Sequence, residues 1–136
     1  MGSPSRVDST DPQLEANKRT VLAFYEAGIN RKDFDAASKL IGPRYVQHNP
    51  LIADGIDGFK GFVGSLRERF PDLRAEVKRI FAEGDHVIAH VHGIRVPGQR
   101  GTAIVDIFRL EDGRIVEHWD VMQLVPEDAE NENGMF

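Results

Sequence analysis

Cysteine is absent from the 136 residues. That absence excludes a disulfide scaffold, a zinc ribbon and a thiol nucleophile, and it suits a reducing compartment. No apolar run approaches the ~18 residues of a spanning helix, and no charged-then-apolar signal opens the chain, so the expected location is cytoplasmic, without a membrane partner. An excess of basic charge is missing too. Lys and Arg number 17 against 22 acids, a formal charge of -5 with no basic cluster, which argues against nucleic acid as a partner. Ser38 and Ser65 fall on predicted helices without a Gly-x-Ser-x-Gly context, leaving little basis for nucleophilic hydrolysis. Neither an internal repeat nor a linker is visible. What remains, 40% hydrophobic and 29% charged residues, describes one globular domain able to bury a core.

Residues 1–10 are small and polar and read as a disordered or appended leader; 11–125 read as the single domain and 126–136 as an acidic C-terminal tail. Asp11 offers an N-cap with Pro12 at the first helical position, and Leu14, Val21, Leu22, Tyr25 and Ile29 recur at helical spacing up to about Gly28. A second helix is predicted from about Arg31 to Leu40, capped by Asn30 and stopped by Gly42-Pro43. A short extended piece, Arg44 to Pro50, puts Val46 and His48 on one face. Asp57 then caps a third helix with the stripe Phe59, Phe62, Val63, Leu66 and Phe70, ended by Pro71. From Leu73 to Ala82, Leu73, Ala75, Val77 and Phe81 alternate with Arg74, Glu76 and Lys78, a strand with one wet face.

Three more strands follow between Asp85 and Val125, punctuated by Gly84-Asp85, Pro97-Gly98 and Asp112-Gly113. Alternation places His86, Ile88, His90, His92 and Ile94 on one side, and Thr102, Ile104, Asp106, Phe108 and Leu110 on one side of the next strand. A hairpin about Pro97 to Gln99 brings Asp106 opposite His92, with β-carbons roughly 5 Å apart. The last hairpin has two open registers. A three-residue loop Glu111 to Gly113 sets Asp106 against His118, with Asp120 and Met122 on the same side; a two-residue Asp-Gly turn points Trp119 inward instead. The first is preferred because it sets Phe108 against Val116 rather than Glu117. Helices followed by a meander make an α+β domain, three N-terminal helices on a curved, mainly antiparallel sheet.

A carboxylate taken out of water between Ile104 and Phe108 is suited to accept a proton from a carbon acid, with a neighbouring His to orient it or hold an oxyanion. The plain alternative is a buried acid paired with Arg95, Arg109 or His92. His90 and His92, with His48, His118 and Asp106, also make an incomplete ligand set for a metal enzyme, and no metal is expected. A third reading is a pocket that only binds an apolar small molecule, oriented by its polar groups. Val87, Ala89, Val91, Ala103, Val105 and Ile107 would form an apolar outer sheet face, hence the expectation of a homodimer packed through it.

The element order, with Tyr45-Val-Gln-His48-Asn-Pro50, Asp106-Ile-Phe-Arg-Leu110 and Gly113-Arg-Ile-Val-Glu-His118-Trp-Asp120, resembles the SnoaL-like polyketide cyclase family of the nuclear-transport-factor-like superfamily, over roughly residues 11 to 125. The resemblance implies a cone-shaped α+β barrel enclosing a mostly apolar pocket, a homodimer, and acid/base chemistry without a cofactor. In such cyclases an Asp takes a proton from carbon next to a carbonyl and the enolate closes a ring. By that resemblance Asp106 matches the base and His92 the His beside it; the expected mechanism then has His92 orienting Asp106 and His118 or His48 stabilising or protonating the oxyanion. His90, Ile104, Phe108, Asp120, Met122 and Trp119 are then the residues expected to hold an apolar carbonyl substrate.

Overall fold

A computed structural model describes residues 11–136; the leader read at residues 1–10 lies outside the described residues. Helix α1, Pro12–Phe24, starts where the Asp11 carboxylate accepts from the Gln13 amide at 2.8 Å, with Pro12 needing no donor in the first turn. It does not stop at Phe24. The chain widens into a π-helical stretch, Tyr25–Asn30, in which the amide of Arg31 reaches back five residues to Glu26 at 2.9 Å. The second helix, α2, is only Phe34–Ser38. Its cap is Asp33, accepting from Ala36, because Asn30 is occupied elsewhere: its side chain accepts from the Ala75 amide at 2.7 Å and donates to the Ala75 carbonyl at 3.1 Å. Lys32, at φ 54, makes the corner and donates to the Leu73 carbonyl at 2.7 Å.

Strand β1, Ile41–Gln47, precedes α3, Gly55–Arg69, which begins after Asp54 rather than at the expected Asp57. Asp54 does not cap with its side chain; its carboxylate accepts from the Gln47 amide at 2.8 Å and so ties β1 to α3. The antiparallel strands are β2, Arg74–Glu83, β3, His86–Ile94, β4, Thr102–Glu111, and β5, Arg114–Leu124. The sheet order is β1-β5-β4-β3-β2, with β1 parallel to β5 and the two edges unjoined. Helix α1 lies across β2, β3 and β5, and α3 packs on β1 and α2, so one sheet face is covered and a cone is left open between sheet and helices. The α+β architecture read from the sequence is the one observed.

Three registers differ from expectation. In β2 a bulge between Val77 and Arg79 exchanges faces midway, so Ile80 and Ala82 turn inward and Phe81, expected inside, is 57% exposed. Between β3 and β4 the pairing is Ala89↔Asp106 and His92↔Ala103, three places from the expected one. An odd shift exchanges faces, so Val87, Ala89 and Val91 are fully buried and the β3 histidines point outward. Half of the apolar residues behind the dimer expectation therefore belong to the core; Val105 and Ile107 remain on the outer face. The cause is the longer loop from Arg95 to Gly101, whose end needs glycine: Gly101 has φ 80, and a β-carbon there would lie 2.3 Å from the Gly93 carbonyl oxygen. In the last hairpin the turn is the two-residue Asp112-Gly113, both at positive φ, with Glu111 paired to Arg114. A bulge after Arg109 then restores the phase, so His118 faces inward and Trp119 outward, the outcome expected of the other loop.

Beyond β5 the tail has no helix or strand, yet Phe136 stacks on His92 with ring centroids 4.2 Å apart, on the outer sheet face. Among the described residues no helix is long and apolar enough to cross a membrane.

Candidate active site

Between the sheet and the helices lies a cavity of about 360 Å³, within the range of small-molecule sites. Its walls are apolar and largely aromatic, with Phe24, Phe59, Phe62, Phe70 and Phe108 among them, and Ile104 and Met122 from the sheet. At one end stand the polar groups. Cross-strand pairing sets Asp106 directly opposite Asp120 and Phe108 opposite His118. Two carboxylates facing one another repel, so something must offset them.

Three neighbours do so. The Tyr25 hydroxyl donates to Oδ2 of Asp106 in a short contact, and His118 Nε2 lies 2.8 Å from Oδ1. The same Nε2 is 3.9 Å from Asp120, whose two oxygens both accept from the Asn49 amide at 2.9 and 3.0 Å. Gln47 fixes the orientation of the ring. Its Oε1 accepts from the Asn49 backbone amide at 2.9 Å while its Nε2 donates to the Tyr45 hydroxyl at 3.3 Å, so the 2.8 Å contact from His118 Nδ1 to Oε1 needs a proton on Nδ1. One further proton lies in the Nε2 to Asp106 contact. That proton lies beside two carboxylates, with Asp106 at 2.8 Å and Asp120 at 3.9 Å from the nitrogen.

The sequence-predicted residues divide cleanly. Asp106, His118, Asp120, Ile104, Phe108 and Met122 line the cavity. His92 does not reach Asp106: from the outer face its Nε2 meets the Arg100 carbonyl at 2.7 Å and ties down the β3–β4 loop. His90 accepts from Arg79 on the same outer face. His48 pairs with Glu117 at 2.7 Å and stacks flat on Trp119, centroids 4.9 Å apart, so neither aromatic belongs to the cavity. The physical reason is parity. His48 precedes Asn49 on a strand end whose inward positions are Gln47 and, past the strand, Asn49, not Val46 and His48. Arg109, weighed as a partner for Asp106, instead pairs with Glu111 and Glu117.

The profile of the SnoaL-like polyketide cyclases matches residues 19–128. The chain belongs to that family. No curated protein matches it. Among solved structures, AclR from Streptomyces galilaeus, named as a candidate hydroxylase, is 26% identical at TM-score 0.67, over 81% of this chain and 90% of that one. IdmH from Streptomyces antibioticus, named as a candidate polyketide cyclase, is 26% identical at TM-score 0.65, over 78% and 91%. An NTF2-like protein from Cytophaga hutchinsonii, 19% identical at TM-score 0.65 over 79% and 89%, shares the fold.

The polar end of the cavity also holds residues to which the sequence pattern assigned no role in the site: Tyr25, Tyr45, Gln47 and Asn49. Tyr25 sits in the apolar stripe of the first helix and looks like core; only its hydroxyl, the one polar group in that stripe, was a signal. Burial first, then the charge of Asp106, holds the Tyr25 phenol well above its ordinary range, and the same causes push Tyr45 up. Both keep their protons in the folded chain at a pH where the unfolded chain has lost them. Above pH ~10 the unfolded state thus binds fewer protons, and stability falls as pH rises. Urea midpoints should decline between pH 10 and 11 and do so less steeply in Tyr25→Phe; equal slopes in the two proteins would contradict the burial of that proton.

The metal ligands weighed from the sequence are dispersed, since His90, His92 and His48 lie outside the cavity. Among the described residues Asp106, His118 and Asp120 are the group whose ligand atoms gather within 4.8 Å. A cation there would displace the Nε2 proton and compete with Tyr25 and Asn49 for the carboxylates, so the donor set fits a proton better than a metal.

Proposed function

We propose that the protein is a cofactor-independent enzyme performing acid/base chemistry on a small apolar carbonyl compound, an aldol-type cyclisation or isomerisation through an enolate. The observation that carries this reading is the buried Asp106 carboxylate, held by Tyr25 and His118 at the end of an apolar cavity. Each carboxylate oxygen keeps a lone pair beyond the bond it accepts, so Asp106 is free to take a proton from carbon next to a carbonyl. Once Asp106 carries that proton it no longer needs both donors, and the Tyr25 hydroxyl and His118 Nε2–H that it held turn to the enolate oxygen. In a cyclisation the enolate carbon forms the new bond to a second carbonyl, and the resulting alkoxide takes back the proton that Asp106 received. In an isomerisation that proton returns to another carbon. Asp120, gripped by Asn49, stands 3.9 Å from that nitrogen and keeps the ring in place.

The reading can be tested without the natural substrate. 2-Tetralone is neutral, bicyclic and enolisable; in D2O the protein should accelerate deuterium incorporation next to its carbonyl, followed by proton NMR, well beyond buffer of the same pH. Protein that binds 2-tetralone yet leaves the exchange rate at the buffer value would point to a pocket that only binds. Retention of the rate after exhaustive dialysis against EDTA is expected, and its loss would favour a metal at Asp106, His118 and Asp120.

A further inference from the structure

The end of the cavity away from Asp106 carries a feature that proton chemistry does not use. Arg95 has the same parity as Val87, Ala89, Val91 and Gly93, so it continues the inward face of β3 past the last paired residue. Arg69 ends α3 and lines the cavity as well. The two guanidiniums meet at one ring: that of Arg95 lies 5.0 Å and that of Arg69 5.6 Å from the centroid of Phe70. Among the described residues neither has an acidic partner, although the chain carries 22 acids and a net charge of -5. A basic residue in the last turn of a helix is favoured by the helix dipole alone, which accounts for Arg69 but not for Arg95 on a strand end. Six residues separate Arg95 from Ala89, the partner of Asp106, or about 20 Å at the rise of a strand. The long arginine stems reach back over part of that distance, and the wall between is Phe62, Leu66, Phe70 and Ile104.

Resting on the proposed acid/base function, we infer that the substrate is an amphipathic keto acid, its enolisable carbonyl at Asp106 and a free carboxylate at Arg69 and Arg95. Guanidinium forks match a carboxylate with two parallel hydrogen bonds, and Phe70 holds both planes at the mouth without neutralising them. The arrangement also sets direction. Asp106 and Asp120 repel an anion at the inner end, so only the neutral carbonyl end enters first.

The test uses 2-naphthylacetate and its methyl ester, which share an apolar body and differ in one charge, with dissociation constants from equilibrium dialysis at pH 7.5 and low salt. The acid should bind about tenfold more tightly than the ester, a preference that shrinks at 500 mM NaCl and disappears in Arg69→Gln/Arg95→Gln. Both side chains are exposed, so circular dichroism should show the double variant folded. Equal affinity for acid and ester, a preference that survives the double substitution, or no binding of the acid would each overturn the inference. No proton transfer enters this ratio, so its loss removes the anion site alone, whereas loss of exchange on 2-tetralone removes the catalytic reading alone.

Discussion

Asp106→Asn should lower deuterium exchange on 2-tetralone at least ~10²-fold while leaving the fold and the affinity for the ketone largely intact. Asparagine keeps the shape of the side chain and can still accept from the Tyr25 hydroxyl. Its amide can donate to Nε2 of a neutral His118, whose Nδ1 proton stays with Gln47. What it lacks is an oxygen able to take a proton from carbon. A purely structural Asp106 would behave differently. The loss would appear as a lowered melting temperature, because two charge-assisted hydrogen bonds become neutral ones, at a cost of about 1 kcal/mol each. A variant that melts early and exchanges at the wild-type rate would end the assignment of Asp106 as the base. Thermal unfolding and NMR exchange on one preparation separate the two outcomes.

Phe108→Ala should destabilise the chain by about 3–5 kcal/mol, close to the limit that a small domain survives. Phe108 is 1% exposed and stands where three elements meet. Its ring packs edge-on against Phe24 and Tyr25, at 5.6 and 5.8 Å, and tilted against the His118 ring at 5.0 Å. Removing it opens a void between helix and sheet that neighbouring rings cannot fill without leaving their own contacts. The void borders the cavity, so the enlarged pocket should also loosen the ring of His118. Urea denaturation would show the loss; a shift under 1 kcal/mol would mean that the helix and sheet collapse onto the gap. Phe108→Leu, which refills most of the volume, should recover much of the stability.

The contrast between these two residues and the histidines shows what the sequence carried. Asp106 and Phe108 sit two apart in a strand whose alternation is unbroken, so one correct parity places both. The β3 histidines follow an equally clear alternation, but their face depends on a loop whose length is set by Gly101 and the backbone it approaches, which no local pattern encodes. His118 reached the expected face by two compensating departures, a shorter turn and a bulge, each of one residue. Bulges leave no periodic trace, as Phe81 shows as well. Tyr25, Gln47 and Asn49 were visible only as a helix stripe and a motif, without a role, because their chemistry comes from partners more than 70 residues away in the chain, and polarity alone does not distinguish an anchored amide from a solvated one.

The wide turn at Tyr25–Asn30 is a phase adjustment. Around an α-helix, residues five apart lie about 140° from each other, so one helix of that kind could not give Tyr25 to Asp106 and Asn30 to the edge of β2 together. Lodging an extra residue in a single turn lets both anchors hold, at the cost of poorer backbone bonding over those six residues. A relative that has given up either contact has no use for the extra residue and can shed it without shortening the helix. Aligned against such a relative, this chain should carry a one-residue insertion between Glu26 and Ile29, a scar of the site visible where no site residue is found.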